Sequence, residues 1–355
     1  MTARVLDFRL RLMGSGSAFP GLPVSNEDLL DALSHCCDKR GVRRAAWIMD
    51  RLGIHSRHLS RDLKKPISGT RPGMDNPSLC CEALQATLTD ASVSLADCQY
   101  LIGHTASPHT PVPPNIAWVA ERLDFSGPYL ELRQACTGFA NALQIAAGML
   151  VHIDQAPVAI VGSETGSVYS KLSEDFLDRE QLVNYVQMGD GAGAVLLGAD
   201  TGEGSGIISD IFIGHIGLGW EPGFIMPEGG SASPHSDTGV PRFHHATNAV
   251  FERGTDLFLA GLKAMENRGY HLSDFDWILP HQANGRMAEL FENRLGVPAD
   301  RILVTANRLG NLGSAAIWVA LDQLRRSENL RPGDRVLVLG AEATKYMYGG
   351  FVYHR

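Results

Sequence analysis

No apolar run in the 355 residues reaches the roughly 18 that a membrane span requires. None of the six cysteines forms a C-x-x-C pair, so the commonest zinc-ligand spacing is missing and no metal is expected. Basic residues are outnumbered by acidic ones. The net charge is -8 with the two signs interspersed, which argues against nucleic acid as a general partner. Residues Met1 to Arg9 lack the long apolar stretch of a secretion signal. The adjacent pairs Cys36-Cys37 and Cys80-Cys81, with Cys98, read as buried thiols of a reducing compartment. A cytoplasmic protein with no membrane partner is expected.

Hydrophobic residues make up 44% and charged ones 20%, enough to fill one large core or two fused ones. Ser25-Asn26-Glu27-Asp28 has the form of a capping box ahead of a helix at Leu29 to Leu33. Helical periodicity predicts helices at Asn76 to Asp90, Asn115 to Leu123, Thr137 to His152, Asn248 to Arg268, Gly285 to Leu295 and Ser314 to Arg326. Strands are expected at Leu10 to Ala18, Gln99 to Ile102, Tyr129 to Arg133, Val158 to Val161 and Gly189 to Leu197. Further strands are expected at Gly206 to Ile213, Trp277 to Leu279, Ile302 to Val304 and Arg335 to Leu339. The alternation implies an α/β fold with largely parallel sheets. The glycine-rich stretch Ala199 to Gly206 marks the expected boundary between two halves, 1–200 and 201–355.

Three residues carry the chemistry. Cys136 lies where a strand gives way to an apolar helix, in Arg133-Gln134-Ala135-Cys136-Thr137-Gly138-Phe139. There the helix dipole favours thiolate, and the Cys136 N–H can donate to an oxyanion. His281 follows the strand Trp277-Ile278-Leu279-Pro280, at a strand end where α/β proteins place ligand-facing groups. Asn311 sits in a Gly-Asn-x-Gly turn; its amide donates a hydrogen bond but does not titrate. A thiol with two such donors suits acyl transfer and the holding of an enolate, as after loss of carbon dioxide from a malonyl group.

These motifs and their order resemble the β-ketoacyl-acyl-carrier-protein synthase III family of the thiolase superfamily. Trp47-Ile48-Met49-Asp50-Arg51-Leu52-Gly53-Ile54-His55-Ser56-Arg57 is similar to the family's Trp-Ile-x-x-Arg-x-Gly-Ile-x-x-Arg block. Ala135-Cys136-Thr137-Gly138-Phe139, Met188-Gly189-Asp190-Gly191-Ala192-Gly193-Ala194, His281-Gln282-Ala283-Asn284 and Gly310-Asn311 resemble its other motifs. The resemblance implies a thiolase-like fold, with duplicated mixed-sheet halves layered α-β-α-β-α. Cys136 would be acylated, and His281 with Asn311 would assist decarboxylation of a malonyl thioester. It further implies Trp47 stacked on the adenine of coenzyme A, Arg51 at its phosphates, Asn248 near the pantetheine arm, and Arg286 at a docked acyl carrier protein. Acyl-CoA with malonyl-CoA or a malonyl carrier protein would be substrates, no cofactor would be needed, and the state would be a homodimer.

The chain departs from the family in several places. The C-terminal glycine loop is replaced by Glu342-Ala343-Thr344-Lys345-Tyr346, so a backbone N–H of Ala343 or Thr344 is expected to serve the oxyanion, with Lys345 and Tyr346 adding bulk and charge nearby. No arginine stands at Ser167-Val168, and Glu252 replaces a basic docking position beside Arg253. Val112 stands where some members carry a tunnel-shortening phenylalanine, which implies a primer longer than acetyl. Ser34 to Ala46, with Lys39, Arg40, Arg43 and Arg44, reads as extra length before Trp47. A same-fold acyltransferase using an oxygen or nitrogen acceptor is the alternative. Asn311 disfavours it because asparagine is not a base. A non-catalytic subunit is disfavoured by the intact Cys-His-Asn set.

Overall fold

Ser25 caps the first helix, α1 (Asn26–Ser34). Its side chain accepts from the Asp28 N–H, and the Asp28 carboxylate accepts from the Ser25 N–H at 2.8 Å. Asp38 caps α2 (Lys39–Leu52), which stops at Gly53 with φ 63°. From Lys39 on, the stretch read as extra length before Trp47 is thus part of one continuous helix carrying Trp47 and Arg51. The computed structural model describes residues 3–67, 69–152, 156–202 and 205–355. Residues 203 and 204 of the expected boundary lie outside the described residues.

Among the described residues, ten strands form one hydrogen-bonded sheet that folds into two halves. Strand β1 (Arg4–Leu6) precedes β2 (Leu10–Ala18). Two short ribbons flank the sheet, β3 (Val24–Ser25) with β4 (Ser56–Arg57) and β10 (Phe224–Ile225) with β11 (His244–His245). The first half comprises β2, β5 (Tyr100–His104), β6 (Tyr129–Leu132), β7 (Val158–Glu164) and β8 (Gly191–Ala199). The second comprises β9 (Ile207–His215), β12 (Trp277–Pro280), β13 (Arg335–Glu342) and β14 (Met347–His354). The first half runs β6-β5-β7-β8-β2 and the second runs β12-β13-β14-β9. Parallel pairing at the outer end becomes antiparallel towards the centre in both. Leu10 with Ile208 and Arg11 with Ile207 join the halves. The N-terminal β1 pairs with β9 on the second half.

The duplication reaches single residues. Strand β7 reads Val-Ala-Ile-Val-Gly-Ser-Glu, and β13 from Val336 reads Val-Leu-Val-Leu-Gly-Ala-Glu, in corresponding places. Ile302 to Val304 is not a strand. Ile302 makes an isolated parallel bridge to Ile278, in the place that β6 holds beside β5, and the segment is too short to extend it. Among the elements that went unforeseen are α2, β14 and α6 (Arg179–Gln187). Glycine weakens strand propensity, which hid β14. Yet a Cβ on Gly350 would stand 2.1 Å from the Val338 carbonyl oxygen, so the tight pairing requires glycine.

The layers follow from side-chain alternation. Helices α3 (Asn76–Ala91) and α4 (Asn115–Arg122) cover the outer face of the first half. Helices α5 (Gly138–His152) and α10 (Ala316–Arg326) fill the centre, packed by strands of both halves. Helices α7 (Thr247–Glu266) and α8 (Met287–Leu295) cover the outer face of the second. On β13, Val336 and Val338 meet the central helices, whereas Leu337 and Leu339 meet the outer pair. The result is the layered α-β-α-β-α arrangement of a thiolase-like fold.

Candidate active site

Cys136 occupies the turn between β6 and α5. Gly138 is forced by packing there, since a Cβ would stand 2.5 Å from the His104 ring. Cys136, half-buried as a residue, lines a cavity of ≈ 510 Å³ whose wall also includes His281 and Asn311. Three residues far apart in sequence therefore face one space. His281 extends β12, its N–H donating to the Leu339 carbonyl at 2.7 Å. The ring is buried and its Nδ1 has no hydrogen-bond partner among the described residues. Burial pushes the imidazole down to about 4, so it is neutral at neutral pH.

Asn311 is held by its backbone. Its N–H donates to Gln187 at 2.8 Å and its carbonyl accepts from Gly189 at 3.0 Å. A Cβ on Gly189 would stand 1.9 Å from the Leu309 carbonyl oxygen, which accounts for this glycine. The Asn311 Oδ1 accepts from the Gly313 N–H at 3.0 Å. That contact orients the amide and leaves its NH2 group to donate to a ligand.

Two buried carboxylates were missed. Glu342 accepts from the Thr137 N–H at 2.9 Å and the Thr137 hydroxyl at 2.7 Å, and also from Thr344. Glu164 accepts from the Ala106 N–H at 3.0 Å, the Ser314 hydroxyl at 2.5 Å, the Ser314 N–H at 3.4 Å and the Ser107 hydroxyl. Both line the cavity, and they are the closing residues of the repeated strands β7 and β13. Comparing those two segments would have revealed them. Their effect corrects the thiolate expectation. Burial first, then Glu342 and Glu164, push the Cys136 thiol well above its usual value, with only its own N–H opposing. The thiol is therefore protonated at rest, and the helix dipole does not prevail.

The remaining expected residues divide. Arg51 lines the cavity, and its guanidinium stands 5.0 Å from the ring centroid of Trp47, itself 57% exposed and outside the lining. Arg286 lines the cavity too, but it is committed. It donates to the Arg51 and Asp50 carbonyls at 3.1 and 3.0 Å and pairs with Glu289 at 2.9 Å, so it clamps the end of α2 to α8. Thr344 and Ala343 both line the cavity. Of the two residues expected to add bulk and charge nearby, Tyr346 does line the cavity, buried with its ring edge-on to Trp220, whereas Lys345 is not in the lining and its Nζ donates to the Trp220 carbonyl.

Val112 and Asn248 lie outside the cavity lining of this chain. Val112 is 85% exposed on the loop before α4 and is not part of the cavity wall of this chain. Asn248, in the first turn of α7, is exposed, and Val250 and Gly254 line the cavity instead. Arg253 stacks over Trp220 at 3.8 Å. Ser167, in place of a clamp arginine, is buried with its N–H donating to Asp190 at 3.0 Å. Among the described residues, no group of three or more His, Cys, Asp or Glu is placed to hold a metal, and no helix is long and apolar enough to cross a membrane.

Comparison with known proteins agrees with this geometry. The model for 3-oxoacyl-[acyl-carrier-protein] synthase III matches residues 130–214, and the model for the C-terminal part of that family matches 265–353. A β-ketoacyl-[acyl-carrier-protein] synthase III of Desulfitobacterium hafniense is 31% identical over 338 residues, 93% of each chain. One from Rhizorhabdus wittichii is 28% identical over 347 residues, 97% of each. Among solved structures, a tetronic acid condensing enzyme superposes with TM-score 0.83 and 26% identity, covering 98% of this chain and 100% of that one. A priming β-ketosynthase of a polyketide pathway gives TM-score 0.77 and 27% identity, covering 99% and 97%. With a thiolase-like fold, an intact Cys-His-Asn set and this likeness over nearly the whole length, the chain belongs to the 3-oxoacyl-[acyl-carrier-protein] synthase III family of condensing transferases.

Proposed function

We propose that this chain loads an acyl group onto Cys136 from an acyl thioester and condenses it with a malonyl thioester. The observation that carries the reading is that Cys136, His281 and Asn311 line one cavity. Attack by sulfur on the thioester carbonyl forms the new C–S bond. The thiol proton passes to neutral His281 and on to the departing coenzyme A thiolate. Backbone N–H groups of Cys136 and Ala343 are the donors offered to the oxyanion. In the second half-reaction the malonyl group loses carbon dioxide, and its electron pair becomes an enolate. The His281 ring and the Asn311 NH2 donate to the enolate oxygen. The enolate carbon then attacks the acyl carbonyl, a C–C bond forms, and the C–S bond breaks with sulfur leaving as thiolate, which takes up one proton from solvent to restore the thiol.

The primer is longer than acetyl in this reading, and the donors are acyl-CoA and a malonyl carrier protein or malonyl-CoA. Likeness to a tetronic acid condensing enzyme and to a priming β-ketosynthase supports a specialised member over a housekeeping initiator. A homodimer is part of the proposal, and the exposed apolar Val112 suits a surface covered by a second copy. The test is to incubate the protein with a panel of acyl-CoA species and read the adduct mass on Cys136. Malonyl-CoA or a malonyl carrier protein is then added and the product identified. A β-keto product supports condensation; an ester or amide with no new C–C bond would place the chain with oxygen- or nitrogen-directed acyltransferases.

A further inference from the structure

The two halves repeat more than their closing carboxylates. Strand β5 reads Tyr-Leu-Ile-Gly-His and ends at His104, whereas β12 with the residue after it reads Trp-Ile-Leu-Pro-His and ends at His281. The registers agree as well. His104 lies beside Gly162 of β7, and continuing the pairing of Pro280 with Leu339 by one residue sets His281 beside Gly340 of β13. His104 is therefore the first half's counterpart of His281. It does not share the lining of the cavity.

His104 is instead closed in by protein. Its Nε2 accepts from the Trp318 Nε1–H at 2.9 Å, and both residues are buried. Burial keeps the imidazole neutral at neutral pH. An indole N–H only donates, so the neutral ring carries its proton on Nδ1. That Nδ1 has no hydrogen-bond partner among the described residues, and Gly138 is packed against it, since a Cβ there would stand 2.5 Å away. A Cβ on Gly162 would stand 2.5 Å from His104 Nε2 and 2.6 Å from the Ser314 carbonyl oxygen, so the ring and the Ser314 backbone crowd the same glycine. A buried donor without a partner weakens a fold, and an apolar side chain of similar size would avoid that loss. What the apolar side chain lacks is an acceptor for Trp318.

The place of this hydrogen bond gives it a use. Gly138 opens α5 two residues after Cys136, and Trp318 lies in the first turn of α10, which starts five residues after Asn311. Trp318 also meets Phe139 of α5 edge-on, with ring centroids 5.8 Å apart. One buried pair thus touches both helices whose leading turns carry the nucleophile and the amide. We propose that His104 and Trp318 are a positioning pair that fixes the separation of Cys136 from Asn311 for carbon–carbon bond formation. This inference rests on the condensing reading above. Loading needs the sulfur near His281, and decarboxylation needs His281 and Asn311. Only the C–C step needs the acyl carbonyl on Cys136 and the enolate carbon held by Asn311 at attack distance together, and a shift of roughly 1 Å costs such a step about 10²-fold. An enolate that is not captured takes a proton from solvent, so malonyl-CoA becomes acetyl-CoA and carbon dioxide with no new C–C bond.

The experiment reads that coupling. Wild type, His104→Leu, Trp318→Phe and His104→Gln are loaded with hexanoyl-CoA and given malonyl-CoA, and the β-keto product is counted per carbon dioxide released. Loading rate and melting temperature are recorded beside it. His104→Leu and Trp318→Phe each remove the hydrogen bond, and each should lower the ratio of product to carbon dioxide by about tenfold. In His104→Gln the amide oxygen replaces the Nε2 acceptor, and most of the ratio should return. Where one of the first two variants does not fold, the other decides. A purely structural role would slow loading, decarboxylation and condensation alike and leave the ratio unchanged, which would overturn the proposal. Crystal structures of wild type and the folded variant give the separation of Cys136 from Asn311 directly, and an unchanged separation would overturn it too. If wild type forms no C–C bond but the separation still shifts in the variant, the positioning pair stands and the condensing reading fails.

Discussion

The Glu342 carboxylate accepts two hydrogen bonds from Thr137, the residue after the nucleophile. It thereby ties the Cys136 turn to the hairpin of β13 and β14, and it places negative charge near a buried thiol. Tethering and charge are separable. Glu342→Gln keeps a carbonyl oxygen for Thr137 and removes the charge. The Cys136 thiol should then titrate lower, though still above its usual value, because burial is the larger cause. Alkylation by iodoacetamide at pH 8 should quicken by about threefold or more. An unchanged rate–pH profile would show that the carboxylate only tethers.

Asn311→Asp isolates the enolate step. The Oδ1 that accepts from Gly313 is retained, so the turn should hold. The NH2 donor becomes a second acceptor with charge, and it would repel the enolate. Malonyl decarboxylation should fall by about 10² to 10³, the usual loss on removing one oxyanion donor, with acyl loading on Cys136 falling much less. Stopped-time mass spectrometry of both half-reactions separates them. Equal losses would mean that Asn311 serves the cavity shape and not the enolate.

Most of the architecture was legible because the core is regular. Strand β2 spans the residues that periodicity marks, and α3, α5 and α10 differ from expectation by one or two residues at their ends. The Cys136, His281 and Asn311 turns were legible because each is a glycine-marked or proline-marked junction. Glu164 and Glu342 were not, since a lone acid closing an apolar strand looks like a strand end until the two strands are set side by side. Val112 and Asn248 illustrate another limit. Motif position fixes a residue's place in the chain order, but not whether its side chain points into the cavity or out to solvent.

Burial of the His281 and His104 imidazoles makes part of the stability sensitive to acid. Burial holds His281 near 4 and His104 near 3, and the unfolded chain ionises histidine near 6.5. Above 6.5 both states are neutral, and this contribution is complete. As pH falls below 6.5 the unfolded state binds protons that the fold refuses, and the contribution is lost on the way to about 4. Burial raises Glu164 and Asp190, which work in the opposite sense. Comparison with His281→Gln removes that background. The variant should lose about 2 kcal/mol less stability than wild type between pH 6.5 and 4.5 in denaturant titrations. Parallel pH curves would count against a neutral, buried His281.

Arg286 discriminates a docking role from a clamping one. Its guanidinium reaches the Asp50 and Arg51 carbonyls at the end of α2 and also Glu289 on α8. Carbonyls at a helix end welcome a cation, and the planar fork serves two of them at once. Lysine keeps the charge but cannot span that fork. Arg286→Lys should therefore lower thermal stability by about 1 kcal/mol, a value kept small because the side chain is solvent-exposed. If the residue instead served chiefly as a charge for an acidic carrier protein, Arg286→Lys would keep both the melting temperature and the KM for a malonyl carrier protein, and Arg286→Ala would raise that KM alone. The clamp reading expects both variants to melt lower. It also expects weaker positioning of Arg51 and Leu52 at the cavity wall, seen as a higher KM for malonyl-CoA as well as for the carrier.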